Sequence, residues 1–253
     1  LSSVIRRRFE DMNVLVTGAN RGLGLGLVKE LLKHDDVKNV FATHRHWANT
    51  KELMEMSGKE PRLHVLEMEL LEHITIGSVY IKIRDTVAAD GLNMIINNAG
   101  VFEPYDIDGT IKRKMIVDTI EINSVGPTIM CQGFLPQLRK AVKSGRKGMM
   151  VNISDEVASM QLCKGATDRK ALVYQMSKAS LNMMTRSMAA DAKKDGVTIL
   201  AMAPGSVRTE MGGPNARDSV EDAAKEMVES LLHKANLEHT GGFFDRKMQP
   251  IPF

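Results

Sequence analysis

The chain has only two cysteines, Cys131 and Cys163, among 253 residues. Two cannot form a disulfide framework, and their separation matches no metal-binding spacing. A reducing, cytoplasmic setting is the expectation. No run is apolar over the length a membrane span needs. The opening LSSVIRRRFEDM carries three arginines and lacks the apolar core of a secretory leader. Residues 1–11 are therefore expected to be a flexible extension ahead of one domain over 12–253. Charge of one sign is also scarce: 34 Lys and Arg face 31 Asp and Glu, a net +3, which gives nucleic acid or an anionic membrane little to hold. His44 and His46 have no other ligand-type residues near them in sequence, so no metal site is expected. Aromatics are 4%, and 18 methionines look like adaptable core filling.

What is present is an alternation. Apolar β-type runs fall at 12–17, 37–43, 62–68, 92–98, 148–154, 197–203 and 241–246. Helical periodicity fills 21–33, 47–57, 73–89, 111–143, 172–194 and 219–232. Strands apolar on both faces, alternating with helices, predict a parallel sheet covered on both sides. The fold class is α/β, a single Rossmann-type doubly wound parallel sheet of about seven strands. Ligands in such sheets bind beyond the C-terminal strand ends. The segments to search are 18–24, 43–46, 98–102, 154–160 and 203–213.

The first of these reads T-G-A-N-R-G-L-G over 17–24. Gly18, Gly22 and Gly24 permit a tight turn, and the helix that follows points its positive end at the same spot, an arrangement that suits a pyrophosphate. The spacing is G-x-x-x-G-x-G, not the usual G-x-G-x-x-G. The second strand ends on His44 and Arg45 where an NAD-selective site would carry an acid. With Arg21, these favour the 2′-phosphate of NADP(H). Further on, V-Y-Q-M-S-K (173–178) places Tyr174 and Lys178 four residues apart, on one helical face. An ammonium beside a phenol favours the phenolate and moves it toward the range of a working proton donor.

Together with N-N-A-G (97–100) and P-G-S-V-R-T (204–209), these stretches resemble the short-chain dehydrogenase/reductase family, over nearly all of 12–253. Within it, Y-Q-M-S-K-A-S-L-N and the ending G-G-F-F-D-R-K-M-Q-P resemble sniffer-type carbonyl reductases and C-factor proteins. The resemblance implies that Tyr174 donates a proton to the substrate carbonyl, that Lys178 holds the nicotinamide ribose, and that Asn123 anchors a water in a proton relay. It implies cofactor contacts from Gly18, Asn20, Arg21, Gly22, Leu23, Gly24, Glu69, Leu70, Asn98, Ala99, Gly100, Pro204, Gly205, Val207 and Thr209.

One position departs from the family pattern. V-N-I-S-D-E-V-A-S (151–159) puts Asp155 where the family carries a serine. Ionised, it would oppose negative charge on the carbonyl oxygen and on the phenol. Three arrangements remain open. Asp155 is neutral and donates; or it turns away while Ser159 or Ser154 substitutes; or efficient turnover is lost. Strand alternation turns Ser154 to the other face. Two functions follow: an NADPH-dependent reductase of small aldehydes, ketones or quinones, or an NADP(H)-binding redox sensor or signalling partner with little turnover. The short segment after Thr209 implies an open pocket, with Val101, Met160, Leu162 and Met211 as candidate lining. Apolar residues on more than one face of 111–143 and 172–194, among them Leu172, Val173, Met176, Leu181, Met184 and Met188, suggest a homodimer through those helices.

Overall fold

The computed structural model describes residues 11–46, 48–165 and 170–253. The expectation of a flexible extension falls on residues outside these, apart from the exposed Asp11. Seven strands form one sheet: β1 (Met12–Val16), β2 (Val37–His44), β3 (Leu63–Glu67), β4 (Met94–Asn97), β5 (Met149–Ile153), β6 (Thr198–Ala203) and β7 (Phe243–Asp245). Their order is β3-β2-β1-β4-β5-β6-β7, and every pairing is parallel. The helices are α1 (Gly22–Leu31), α2 (Lys51–Ser57), α3 (His73–Val87), α4 (Arg113–Ile120), α5 (Gly126–Lys143), α6 (Leu172–Ala192) and α7 (Val220–His233). This is the doubly wound Rossmann-type fold that the alternation predicts.

The side-chain period of a strand divides the core in two. Val14 and Val16 of β1 pack with α1 and α7, through Leu27, Leu31, Met227 and Leu231. Leu15 between them faces the opposite layer, with Ile83, Phe134, Leu138 and Ala189 from α3, α5 and α6. Strand order reverses between β1 and β4, so the crevice lies above those two C-terminal ends. Among the described residues no helix is long and apolar enough to cross a membrane.

The single helix expected over 111–143 is three pieces. Between α4 and α5, Glu121–Val125 forms a π-helical turn. Pro127 has no N–H to offer the carbonyl of Asn123 four residues earlier, so the α ladder breaks there. Gly126 instead bonds back to the Glu121 carbonyl. Such turns widen a helix locally and recur at functional sites.

Candidate active site

The glycine turn and the N-N-A-G turn are locked into one unit. The Thr17 hydroxyl accepts the N–H groups of Asn98 and Ala99, both at 3.0 Å. Asn98 returns its amide to the carbonyls of Thr17 at 2.9 Å and Gly18 at 3.1 Å. Gly18 has φ +63°, and a Cβ there would lie 2.9 Å from the Cα of Ala99. A Cβ on Gly24 would lie 2.3 Å from the Gly18 carbonyl oxygen. Only glycine fits either place.

α1 begins on Arg21 without a side-chain cap and without an acid in its first turn. Its first N–H groups and its positive end therefore face the crevice uncompensated, which fits a pyrophosphate. Asn20 ties this turn to the Asn49 carbonyl at 3.3 Å, and Leu23 packs half-buried against the core.

At the end of β2, His44 Nδ1 faces the Arg45 carbonyl at 3.1 Å. The Arg45 side chain is exposed and makes no hydrogen bond or ion pair with the described residues. Arg21 pairs with Glu210, tying the glycine turn to the segment after β6. Glu69 is half-buried, its N–H held by the Thr75 hydroxyl at 2.9 Å. Leu70 sits in the core: a Cβ on Gly126 would meet it at 3.2 Å.

Deeper in, α6 carries Tyr174 and Lys178, both largely buried. Lys178 Nζ donates to the Ile153 carbonyl at 2.7 Å and lies 5.7 Å from the Tyr174 ring centre. Burial lowers its pKa to about 8, while Asp155 pulls it back up. A Cβ on Gly100 would lie 3.6 Å from Nζ, so that glycine leaves room above the lysine.

Asn123 sits in the π turn and clamps Val101, accepting its N–H and donating to its carbonyl, each at 2.8 Å. It also reaches Ser177 Oγ at 3.0 Å, and Ser177 donates to the Tyr174 carbonyl at 2.8 Å. The three candidates Tyr174, Lys178 and Asn123 thus meet in one place.

Asp155 faces the tyrosine. Its Oδ1 accepts the Val157 N–H at 3.1 Å, and its Oδ2 lies 3.4 Å from the Tyr174 hydroxyl. Ser154 points the other way and donates to Asn182 Oδ1 at 2.7 Å, as strand alternation requires. Ser159 accepts the Leu162 N–H at 3.1 Å. Ser154 thus spends its proton on Asn182, while Ser159 accepts from Leu162 and keeps its own O–H to donate.

The segment after β6 is pinned by Arg246, which bonds the Pro204 carbonyl at 3.1 Å, Asp218 at 2.8 Å and Glu226 at 2.6 Å. Gly205 turns there with φ +80°. Val207 bridges to Asp218, and the Thr209 hydroxyl accepts the Gly212 N–H at 3.0 Å. Thr209 rests on the glycine turn, its methyl 3.4 Å from where a Gly22 Cβ would stand. Met211 Sδ lies 4.0 Å from the Tyr174 hydroxyl. Met160, by contrast, lines a separate cavity of about 190 Å³ with Asn182, Met183, Arg186 and Phe253.

Sequence reasoning missed three contributors. Phe102 packs edge-on against Tyr174, with centroids 5.3 Å apart. Ser177 joins Asn123 to the tyrosine's backbone, and a polar residue inside the Tyr174–Lys178 pair was the available signal. Arg246 acts over a separation of 42 residues from Pro204, which no local pattern reveals.

A sheet-end crevice with a glycine turn, a Tyr–Lys pair on one helix and an asparagine beside it defines an oxidoreductase of the dinucleotide-binding class. The chain belongs to the short chain dehydrogenase family, whose model matches residues 12–219. It is similar in structure to the carbonyl reductase Sniffer of D. melanogaster, with a TM-score of 0.89 and 30% identity, covering 96% of this chain and 100% of that one. It is equally similar to an NADPH-bound carbonyl reductase from chicken fatty liver, with a TM-score of 0.90 and 31% identity over 96% and 100% of the two chains. In sequence it is 32% identical over 167 residues to C-signal of Myxococcus xanthus, covering 66% of this chain and 96% of that protein.

Proposed function

We propose that this protein is an NADPH-dependent reductase of small carbonyl compounds: aldehydes, ketones or quinones. The observation that carries the reading is the meeting of Tyr174, Lys178 and Asn123 beside the glycine turn. NADPH, when bound, supplies the hydride to the carbonyl carbon. Gly18, Gly22 and Gly24 with the start of α1 would hold its pyrophosphate. Arg45 and Arg21 would hold its 2′-phosphate, and Lys178 its nicotinamide ribose. Tyr174 gives its proton to the carbonyl oxygen, so that the ketone or aldehyde leaves as the alcohol. Lys178 stabilises the phenolate left behind. Asn123 holds Val101 and the backbone of the π turn, where a water can pass a proton back. Positioning of this kind removes much of the entropic barrier.

Asp155 is the observation that favours a second reading, an NADP(H)-binding protein with little turnover that acts as a redox sensor or signalling partner. A carboxylate 3.4 Å from the proton donor opposes the charge that reduction builds on the substrate oxygen. The test is NADPH oxidation with a reactive quinone or dicarbonyl. Turnover by the wild type that is lost in Tyr174→Phe supports the reductase. A silent wild type that still binds NADPH, and that Asp155→Ser awakens, supports the second reading.

The assembly we propose is a homodimer through α4, α5 and α6, in the cytoplasm. Val125, Met176 and Met183 stay 43%, 47% and 61% exposed on those helices and the turn between them. Two unpaired cysteines fit a reducing compartment. Sedimentation of the wild type beside Met183→Glu tests the dimer.

A further inference from the structure

Two Glu–His pairs face each other where α1 and α7 cross. Glu30 lies in the last turn of α1 and His34 in the loop just after it, while Glu229 and His233 lie four residues apart at the end of α7. That spacing puts Glu229 and His233 on one face of α7. Gly26 lets the helices approach closely, since a Cβ there would lie 2.4 Å from a Val220 methyl. α1 rises about 15 Å from the glycine turn, so this cluster stands at the far end of the helix from the candidate active site.

His34, Glu229 and His233 each offer a ligand atom, all within 4.8 Å of one another. Glu229 Oε2 lies 3.6 Å from His233 Nε2, and Glu30 Oε1 lies 4.0 Å from His34 Nε2. The two imidazole centres are 6.3 Å apart. His34 Nε2 is buried and has no hydrogen-bond partner among the described residues. A buried polar atom without a partner is costly, and few proteins retain one without a ligand or a reason. His44 and His46, whose isolation gave the expectation of no metal site, are not part of this cluster.

We infer that His34, His233 and Glu229 form a site for a divalent metal of the zinc class, with solvent as the fourth ligand. Two imidazoles and one carboxylate are an ordinary donor set for zinc, and a water completes its tetrahedral shell. Ligands about 2.1 Å from the ion stand roughly 3.4 Å apart, so the side chains must draw in slightly. The exposed half of the cluster can move: the His233 and Glu229 side chains are 52% and 47% exposed. The inner ligand is held more firmly, the His34 side chain being only 18% exposed. Both helices also turn their negative C-terminal ends toward the ion. Bound metal pins α1 to α7 and stabilises the folded state by mass action.

The test uses tag-free full-length protein stripped with a chelator, titrated with zinc chloride by calorimetry and melted with and without zinc. Cobalt(II) serves as the spectroscopic probe of coordination geometry. The expected result is one zinc per chain, a raised melting temperature and an intense visible cobalt band typical of four-coordination. His34→Gln and His233→Gln should each weaken zinc binding by more than about tenfold and abolish the cobalt band. His233 is at the surface, so its variant folds even if the His34 variant does not. Absence of a zinc-induced melting shift, or zinc binding unchanged in His233→Gln, overturns the site and assigns any bound zinc to an adventitious position.

Discussion

Asp155 Oδ2 lies 3.4 Å from the Tyr174 hydroxyl, while the other oxygen of that carboxylate is fixed by the Val157 N–H. The carboxylate is thus aimed at the proton donor and cannot easily rotate away. A serine hydroxyl in that place would donate to a carbonyl oxygen, and an ionised carboxylate would repel it. Asp155→Ser should therefore raise kcat/KM for a neutral dicarbonyl at neutral pH by about 10²-fold, the usual worth of one such donor. Asp155→Asn supplies an amide donor and should recover part of the gain. Equal kcat/KM in the three proteins would show that the Asp155 side chain does not oppose the reaction.

Lys178 gives the pH dependence. Burial lowers its pKa from 10.5 to about 8, and Asp155 opposes that shift. Its charge is present below about 8 and lost above, so kcat/KM should fall on the alkaline side with a midpoint near 8. In Asp155→Asn the raising influence is gone, and the midpoint should move to lower pH. For folding the sign is opposite. Between about 8 and 10.5 the unfolded chain holds the lysine proton that the folded chain has released. Stability of the wild type relative to Lys178→Met should therefore increase with pH across that window, read from urea midpoints.

The seven strands and their order of alternation were legible because each strand is apolar on both faces and each helix has its own period. The Tyr174–Lys178 pair was legible for the same local reason, an i, i+4 spacing. The break at 121–125 was not read, although Pro127 carried the signal: a missing N–H four residues after Asn123. Nor could spacing tell whether Asp155 turned inward, since that depends on the Val157 N–H that caps it. Arg246 and the His34–His233 cluster join residues far apart in sequence, and only the packed helices and loops bring them together.

The π turn itself can be tested. Pro127→Ala restores the donor that an α-helix needs at Asn123, while changing little of the side-chain volume. The helix should tighten and shift Asn123 relative to Ser177 and Val101. Displacements of this size at catalytic groups cost up to about 10²-fold, so kcat should fall with the KM for NADPH unchanged. An unaltered kcat would mean that the turn is held by tertiary packing and not by the proline.

Gly24 tests the lower edge of the cofactor cradle. A Cβ there would lie 2.3 Å from the Gly18 carbonyl oxygen and 2.5 Å from Asn98 Nδ2. Both are parts of the unit that joins the two turns, so neither can yield cheaply. Gly24→Ala should lower stability by about 1–3 kcal/mol, as strain at such sites does, and weaken NADPH binding more than it lowers the melting temperature would suggest. Gly77→Ala, in open space on α3, is the matched control and should be neutral or slightly stabilising.

Cofactor choice turns on the two arginines, which differ in what they are doing. Arg21 is engaged with Glu210, whereas the Arg45 side chain has no ion pair among the described residues and stands at the end of β2 where a ribose would lie. Arg45 should therefore carry most of the preference for a 2′-phosphate. A charged hydrogen bond to such a group contributes about 1.5–3 kcal/mol, or roughly ten- to a hundredfold in affinity. Arg45→Asp should weaken NADPH binding by that factor and leave NADH binding equal or improved, measured by titration of each cofactor. Arg21→Ala should cost NADPH less, because its guanidinium must first leave Glu210, and Glu210→Gln should tighten NADPH by freeing it. Loss of NADH and NADPH binding in parallel in Arg45→Asp would show that the residue supports the fold of the crevice and does not read the phosphate.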